Sequence, residues 1–102
     1  MAWADKMPAH LNNARLEDFA FLDELGDGGL DPTDDELADA PLLQVWWLTV
    51  SLIHGDTIVC GVVSGHPRLR DGPVTTTPPF AADTRRGWMK TRNTLYRLGG
   101  HL

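Results

Sequence analysis

Four side chains within a short stretch have the types used in nucleophilic catalysis and metal binding: His54, Asp56, Cys60 and His66. A thiol beside an imidazole and a carboxylate can attack a carbonyl carbon or hold zinc. The spacing does not deliver that chemistry. Cys60 alternates with Ile58 and Val62, which sets it on a strand face as a small apolar filler. His54 and Asp56 fall in the compact turn His54-Gly55-Asp56-Thr57, where polar side chains belong in any case. With Cys60 as the one cysteine, no intramolecular disulfide can form and a cysteine-based zinc site lacks ligands. The expectation is therefore a non-enzymatic protein with no catalytic residue, no metal and no cofactor.

The acidic stretch from Asp23 to Asp39 is a different kind of candidate, with eight carboxylates in seventeen residues. A calcium loop of the EF-hand kind needs acids at its first, third and fifth positions, Gly at the sixth and Glu at the twelfth. Counted from Asp27, the third residue is Gly29 and the sixth is Pro32, so that frame fails. Two uses stay open. The stretch is either a solvated loop and helix face, or a charge density that imitates a nucleic-acid backbone and docks on a basic groove. The second use assigns Asp27, Asp31, Asp34, Asp35, Glu36 and Asp39 to partner binding.

Beyond Cys60 the balance reverses. Met1 to Cys60 carries twelve acids and two bases, a charge of −10; Gly61 to Leu102 carries two acids and seven bases, a charge of +5; the whole chain is at −5. Such a chain either neutralises itself in the fold or shows partners two opposite faces. The bases Arg68, Arg70, Arg85, Arg86, Lys90, Arg92 and Arg97 interleave with Trp88 and Tyr96. Charge that holds phosphates beside rings that stack on bases suits single-stranded nucleic acid. If Trp88 to Leu98 is one strand, then Trp88, Lys90, Arg92, Thr94 and Tyr96 share a face. An alternative nucleic-acid site of Arg85, Arg86, Lys90, Arg92 and Tyr96 follows. The competing reading pairs these bases with the acidic half and buries both rings.

The elements that must position these groups change character near Pro41. Asn12 to Leu25 reads as a helix, with Leu16, Phe19, Phe21, Leu22 and Leu25 at helical spacings. Gly26 is its natural C-terminal cap. Thr33 followed by Glu36 is a capping-box pattern, so a second short helix starts there and ends before Pro41. From Trp46 the period becomes twofold: Trp46, Leu48, Val50 and Leu52 form an apolar face, and Trp47, Thr49, Ser51 and Ile53 a mixed one. Ile58 to Ser64 pairs back as a hairpin, and Val74 to Thr77 is an edge strand halted by Pro78-Pro79. Adjacent strand residues point to opposite faces, so Trp46 and Trp47 are both buried only under a sheet covered on both sides. An exposed Trp47 beside Val45 and Ile53 would be a contact anchor.

The expected fold is one α+β domain over 1–102, two short N-terminal helices packed on a three- or four-stranded antiparallel β-meander. Its parts are an N-terminal tail at 1–10, an acidic helical part at 11–40 and an antiparallel sheet at 42–98. The N-terminus lacks a leader pattern, and polar residues interrupt the longest apolar run, so a cytoplasmic protein off the membrane is expected, monomeric or homodimeric.

The stretch from Gly65 to Gly99 resembles small bacterial and phage-borne proteins that have no assigned activity. The shared pattern rests on Gly65, His66, Pro67, Arg68, Asp71, Gly72, Thr75, Thr76, Thr91, Tyr96, Leu98 and Gly99. Pro78-Pro79 departs from it. The resemblance implies a mobile-element origin, where small acidic proteins inhibit nucleic-acid machinery, CRISPR complexes included. The expected function is a protein-binding inhibitor or regulator, anti-CRISPR-like, whose acidic face engages a basic nucleic-acid-handling complex such as a CRISPR effector. Direct nucleic-acid binding is the alternative.

Overall fold

A computed structural model describes residues 9–102, with side chains from Arg15 onward. The expected tail at 1–10 lies largely outside the described residues, and Ala9 already belongs to the first helix. Helix α1 (Ala9–Leu25) and the short α2 (Asp34–Asp39) precede six strands: β1 (Leu42–Val50), β2 (Thr57–Ser64), β3 (Gly72–Thr75), β4 (Ala81–Asp83), β5 (Trp88–Lys90) and β6 (Leu95–Leu98).

The expected antiparallel meander of three or four strands is corrected. The strands form one six-stranded mixed sheet in the order β3-β2-β1-β6-β5-β4. Two antiparallel three-stranded units, β1 to β3 and β4 to β6, are joined where β1 runs parallel to β6 through Leu42↔Arg97 and Leu43↔Leu98. An isolated parallel bridge, Trp46↔His101, continues that seam past the end of β6. The segment Trp88 to Leu98 is not one strand. A turn closed by Thr91 N–H to Thr94 O at 2.9 Å folds it into the β5–β6 hairpin.

Local signals explain the pieces that precede the sheet. Gly26 ends α1 at φ 70°, where a side chain would be strained, and its carbonyl accepts from Ala82 N at 2.9 Å, tying the helix end to edge strand β4. The capping box forms: Glu36 N donates to Thr33 Oγ1, and Glu36 Oε1 accepts from Thr33 N, both at 3.1 Å.

One face of the sheet holds the core, where Leu22 of α1 meets Leu43, Trp46, Val59, Val63, Met89 and Tyr96. Phe19, Phe21 and Leu25 pack against this cluster, while Leu16, expected on the same stripe, is exposed. The twofold alternation expected from Trp46 holds as far as Val50, with Trp46 and Leu48 on the core side and Trp47 on the other, and an irregularity precedes it. A β-bulge between Gln44 and Trp47 sets Val45 and Trp46 opposite the single residue Gly61, so Leu43 and Trp46 share the inner face. Val45 adopts φ 50° there. A Cβ on Gly61 would lie 3.0 Å from both Gln44 O and Leu43 Cδ1, so a glycine is what lets the bulged strand approach. β1 stops at Val50, and Leu52 and Ile53 belong to the exposed hairpin turn rather than to a strand face.

The second face is covered on one half. Met89 and Tyr96 pair on the core side, so Trp88 and Lys90 point the other way. Leu30, Asp31, Pro32 and Glu36 line a depression with Lys90 and Leu95, which places the loop before α2, and α2 itself, over the β4–β6 half. Trp88 is completely buried beneath that cover. Nothing described lies over the matching side of β1, β2 and β3, where Trp47 and Val62 are exposed. No helix among the described residues is long and apolar enough to cross a membrane.

Candidate docking surface

The acidic segment is held out as a ridge. Asp27 turns on itself, its Oδ1 accepting from Gly29 N at 2.9 Å. α2 follows, with Asp34, Asp35 and Glu36 in its first turn, where the positive end of the helix dipole favours them. No residue of α2 is buried. The helix adds no side chain to the core, and caps and surface contacts hold it in place.

Arg86 supplies the main such contact. Its guanidinium reaches Asp31 Oδ1 at 2.9 Å, Pro32 O at 2.6 Å and, more loosely, Asp34 Oδ1 at 3.8 Å. One base of the C-terminal half therefore partly neutralises two of the six acids assigned to partner binding. Asp27, Asp35, Glu36 and Asp39 are exposed, and none of the ion pairs among the described residues involves them. The two halves of the chain thus cancel in part and leave a reduced acidic face.

The alternative nucleic-acid platform is taken apart by the same fold. Tyr96 is 4% exposed and faces the core, its ring 6.0 Å from that of His66, and Trp88 is buried on the opposite side of the sheet. Neither ring can stack on a base. Arg85 and Arg86 sit in the turn at one end of β5, while Lys90 and Arg92 lie at the other end. Arg85 N and Arg86 N both donate to Asp83 Oδ1, which fixes that turn.

Trp47 lies outside the acidic ridge. It is 38% exposed on the uncovered β1–β3 face, paired across the ladder with Cys60, while Trp46 is buried. The two indoles therefore point to opposite faces of the sheet. Cys60 is half-buried there, its Sγ 3.6 Å from Thr75 Oγ1. His54 and Asp56 are exposed in the hairpin turn, and His66 Nδ1 accepts from Arg68 N at 3.0 Å and Leu69 N at 3.2 Å. Among the described residues, no group of three or more His, Cys, Asp or Glu is arranged to hold a metal ion.

One polar arrangement has no local signature in the chain. Asp18 of α1 is buried, its Oδ2 2.7 Å from His101 Nε2 and 3.1 Å from Leu48 N, which donates to it. The His101 ring stands edge-on to Trp46 at 4.6 Å and tilted to Phe19 at 5.6 Å. Carboxylate and imidazole occur together in many active sites, yet this pair is enclosed by rings and backbone. Its geometry is that of a pin between the helix and the segment after β6.

A family model of DUF6634, a family of unknown function, matches residues 18–102. The chain belongs to this family. The match starts at Asp18 and includes His101, so the DUF6634 region spans both ends of the buried pair, the acidic ridge and all six strands. No curated protein and no solved structure matches the chain.

Proposed function

We propose that the protein is a non-enzymatic binding module whose acidic ridge, Asp27 to Asp39, docks on the basic surface of a partner protein and inhibits or regulates it. The observation that carries this reading is α2: a capped helix that buries none of its residues and turns Asp35, Glu36 and Asp39 to solvent. An element that contributes nothing to the core is free to serve recognition, and carboxylates so placed favour encounter with a cationic groove. Complexes that handle nucleic acid carry such grooves, and a CRISPR effector, with its positively charged heteroduplex channel, is one partner of that chemistry.

The test is affinity capture with the wild-type chain and with a variant carrying Asp31→Asn, Asp34→Asn, Asp35→Asn and Glu36→Gln. The amides keep an acceptor for Arg86 and for Thr33 N, so the loop and the capping box survive while the charge goes. A partner held by the wild type, released by the variant and weakened as salt rises supports the reading. A partner that stays on the variant refutes it.

A further inference from the structure

We infer that the acidic segment lying over β4, β5 and β6 is a displaceable strap, and that the face beneath it is a binding site for single-stranded nucleic acid. Trp88 and Lys90 point to this side of the sheet, and their cross-strand partners share it: Asp83 and Arg97 stand opposite Trp88, Ala81 and Leu95 opposite Lys90. Arg86, in the β4–β5 turn, reaches the strap from the end of the same face. One large ring therefore lies among three bases. Asp83 is the one acid there, and its carboxylate already accepts from Arg85 N and Arg86 N. Cations that hold phosphates beside a ring that stacks on a base are what a single strand requires.

The segment that occupies this face shows which chemistry it accepts. Asp27 to Asp39 carries six acids and no base, so the strap lies on the three bases as a short polyanion would. The fit is incomplete. Arg86 is ion-paired with the strap, through Asp31 at 2.9 Å and Asp34 at 3.8 Å, but Lys90 and Arg97 have no ion pair among the described residues. Lys90 Nζ donates only to Thr91 O, at 3.4 Å. A depression of about 310 Å³ lies where Leu30, Pro32 and Glu36 face Lys90 and Leu95.

Trp88 adds a second sign that closure is a compromise. The indole is completely buried, yet its Nε1 has no hydrogen-bond partner among the described residues. Burial of the ring holds the strap down, whereas the shut-in donor opposes closure and is hydrated when the strap lifts. With the strap closed the ring cannot stack. A ligand that pairs Lys90 and Arg97 and covers Trp88 with a base replaces the strap, because it makes contacts that the closed chain lacks. This site does not depend on the docking of the ridge on a partner protein.

The experiment is fluorescence anisotropy of a labelled single-stranded oligonucleotide of about ten nucleotides with the full chain, at about 0.05 M salt. Asp31→Ala with Asp34→Ala unties Arg86 while keeping it as a base, and should tighten binding at least about 10-fold over the wild type. Asp35→Asn with Asp39→Asn removes the same charge without touching Arg86, and should gain no more than about 3-fold. In the untied chain, Lys90→Gln and Arg97→Gln should each weaken binding at least about 3-fold, and Trp88→Leu, with circular dichroism unchanged, more than either. Equal gains from the two acid pairs, or binding indifferent to both Lys90→Gln and Arg97→Gln, overturn the proposal, since net charge and not release of this face is then at work. A polyglutamate peptide that binds the untied chain as tightly as the oligonucleotide overturns it as well. Capture of a partner by the ridge is read on the wild-type face and does not involve Lys90 or Arg97, so the two readings fail separately.

Discussion

The Asp18 carboxylate and the His101 ring meet at 2.7 Å, joining α1 to the segment that follows β6. The contact is almost free of water, with side-chain exposures of 10% and 5%. Asp18 Oδ2 also takes the Leu48 N–H, and Leu102 N donates to Trp46 O at 3.0 Å, so helix, central strand and C-terminal segment converge there. Asp18→Ala strands a buried N–H and a buried imidazole together and should cost about 3 kcal/mol. His101→Ala should cost a similar amount, and the double variant much less than the two combined. Urea denaturation of the four proteins measures this; additive losses would show that the pair does not act as a unit.

Two buried indoles differ in one bond. Trp46 Nε1 donates to Gly99 O at 3.0 Å, whereas Trp88 Nε1 is buried with no hydrogen-bond partner among the described residues. Replacement by Phe leaves a cavity at either site, but at Trp46 it also orphans a carbonyl, and at Trp88 it removes an orphan. Trp46→Phe should therefore be the more damaging, by about 1 kcal/mol or more. Equal denaturation midpoints would contradict that account of the core.

Val45 carries strain that can be released. A β-branched residue at φ 50° occupies a region that only Gly, Asn and Asp visit readily. Val45→Asn should stabilise the fold by about 1 kcal/mol, visible as a higher urea midpoint with an unchanged slope. A lower midpoint would mean that the bulge needs the valine side chain.

The Tyr96 phenol is pushed above its ordinary value by burial, an effect that its hydrogen bond with Thr94 partly offsets. A raised folded-state value means that the unfolded chain gives up the proton first. The stabilisation is complete below the unfolded value, near 10.0, and is lost as pH climbs through the folded one. Tyr96→Phe should flatten the decline in stability at alkaline pH. An equally steep decline in that variant would place the titration elsewhere.

Short-range signals in the chain were sufficient for the short-range features. Thr33 and Glu36 stand three apart and form the cap; Gly26 ends α1; His54 to Asp56 lie in the turn that closes the β1–β2 hairpin, and Thr57 begins β2. The misses are where the tertiary structure decides. The parallel seam between β1 and β6 leaves no turn signature, and β4 is three residues long just after Pro78-Pro79, too short for a period to register. The alternation read from Trp46 holds to Val50, but the bulge at Val45 just before it, which sets Leu43 on the same face as Trp46, has no signature in the chain. Reading Trp88 to Leu98 as a single strand placed Tyr96 on an exposed platform, when a turn at Thr91 to Thr94 folds it inward. Among the candidate site residues, the acids were visible as a charge run. That Arg86 would reach back to Asp31 and Asp34 depended on where the β4–β5 turn lands.

If the acidic ridge docks on a groove built for phosphates, nucleic acid must compete with it for that groove. The captured partner is titrated with the wild-type chain in the presence of a double-stranded oligonucleotide, at about 0.1 M salt. If the ridge occupies a surface built for phosphates, the oligonucleotide should displace the protein, and the variant with amides at Asp31, Asp34, Asp35 and Glu36 should bind at least about 10-fold more weakly. A complex that the oligonucleotide leaves untouched, formed equally well by the amide variant, would contradict it.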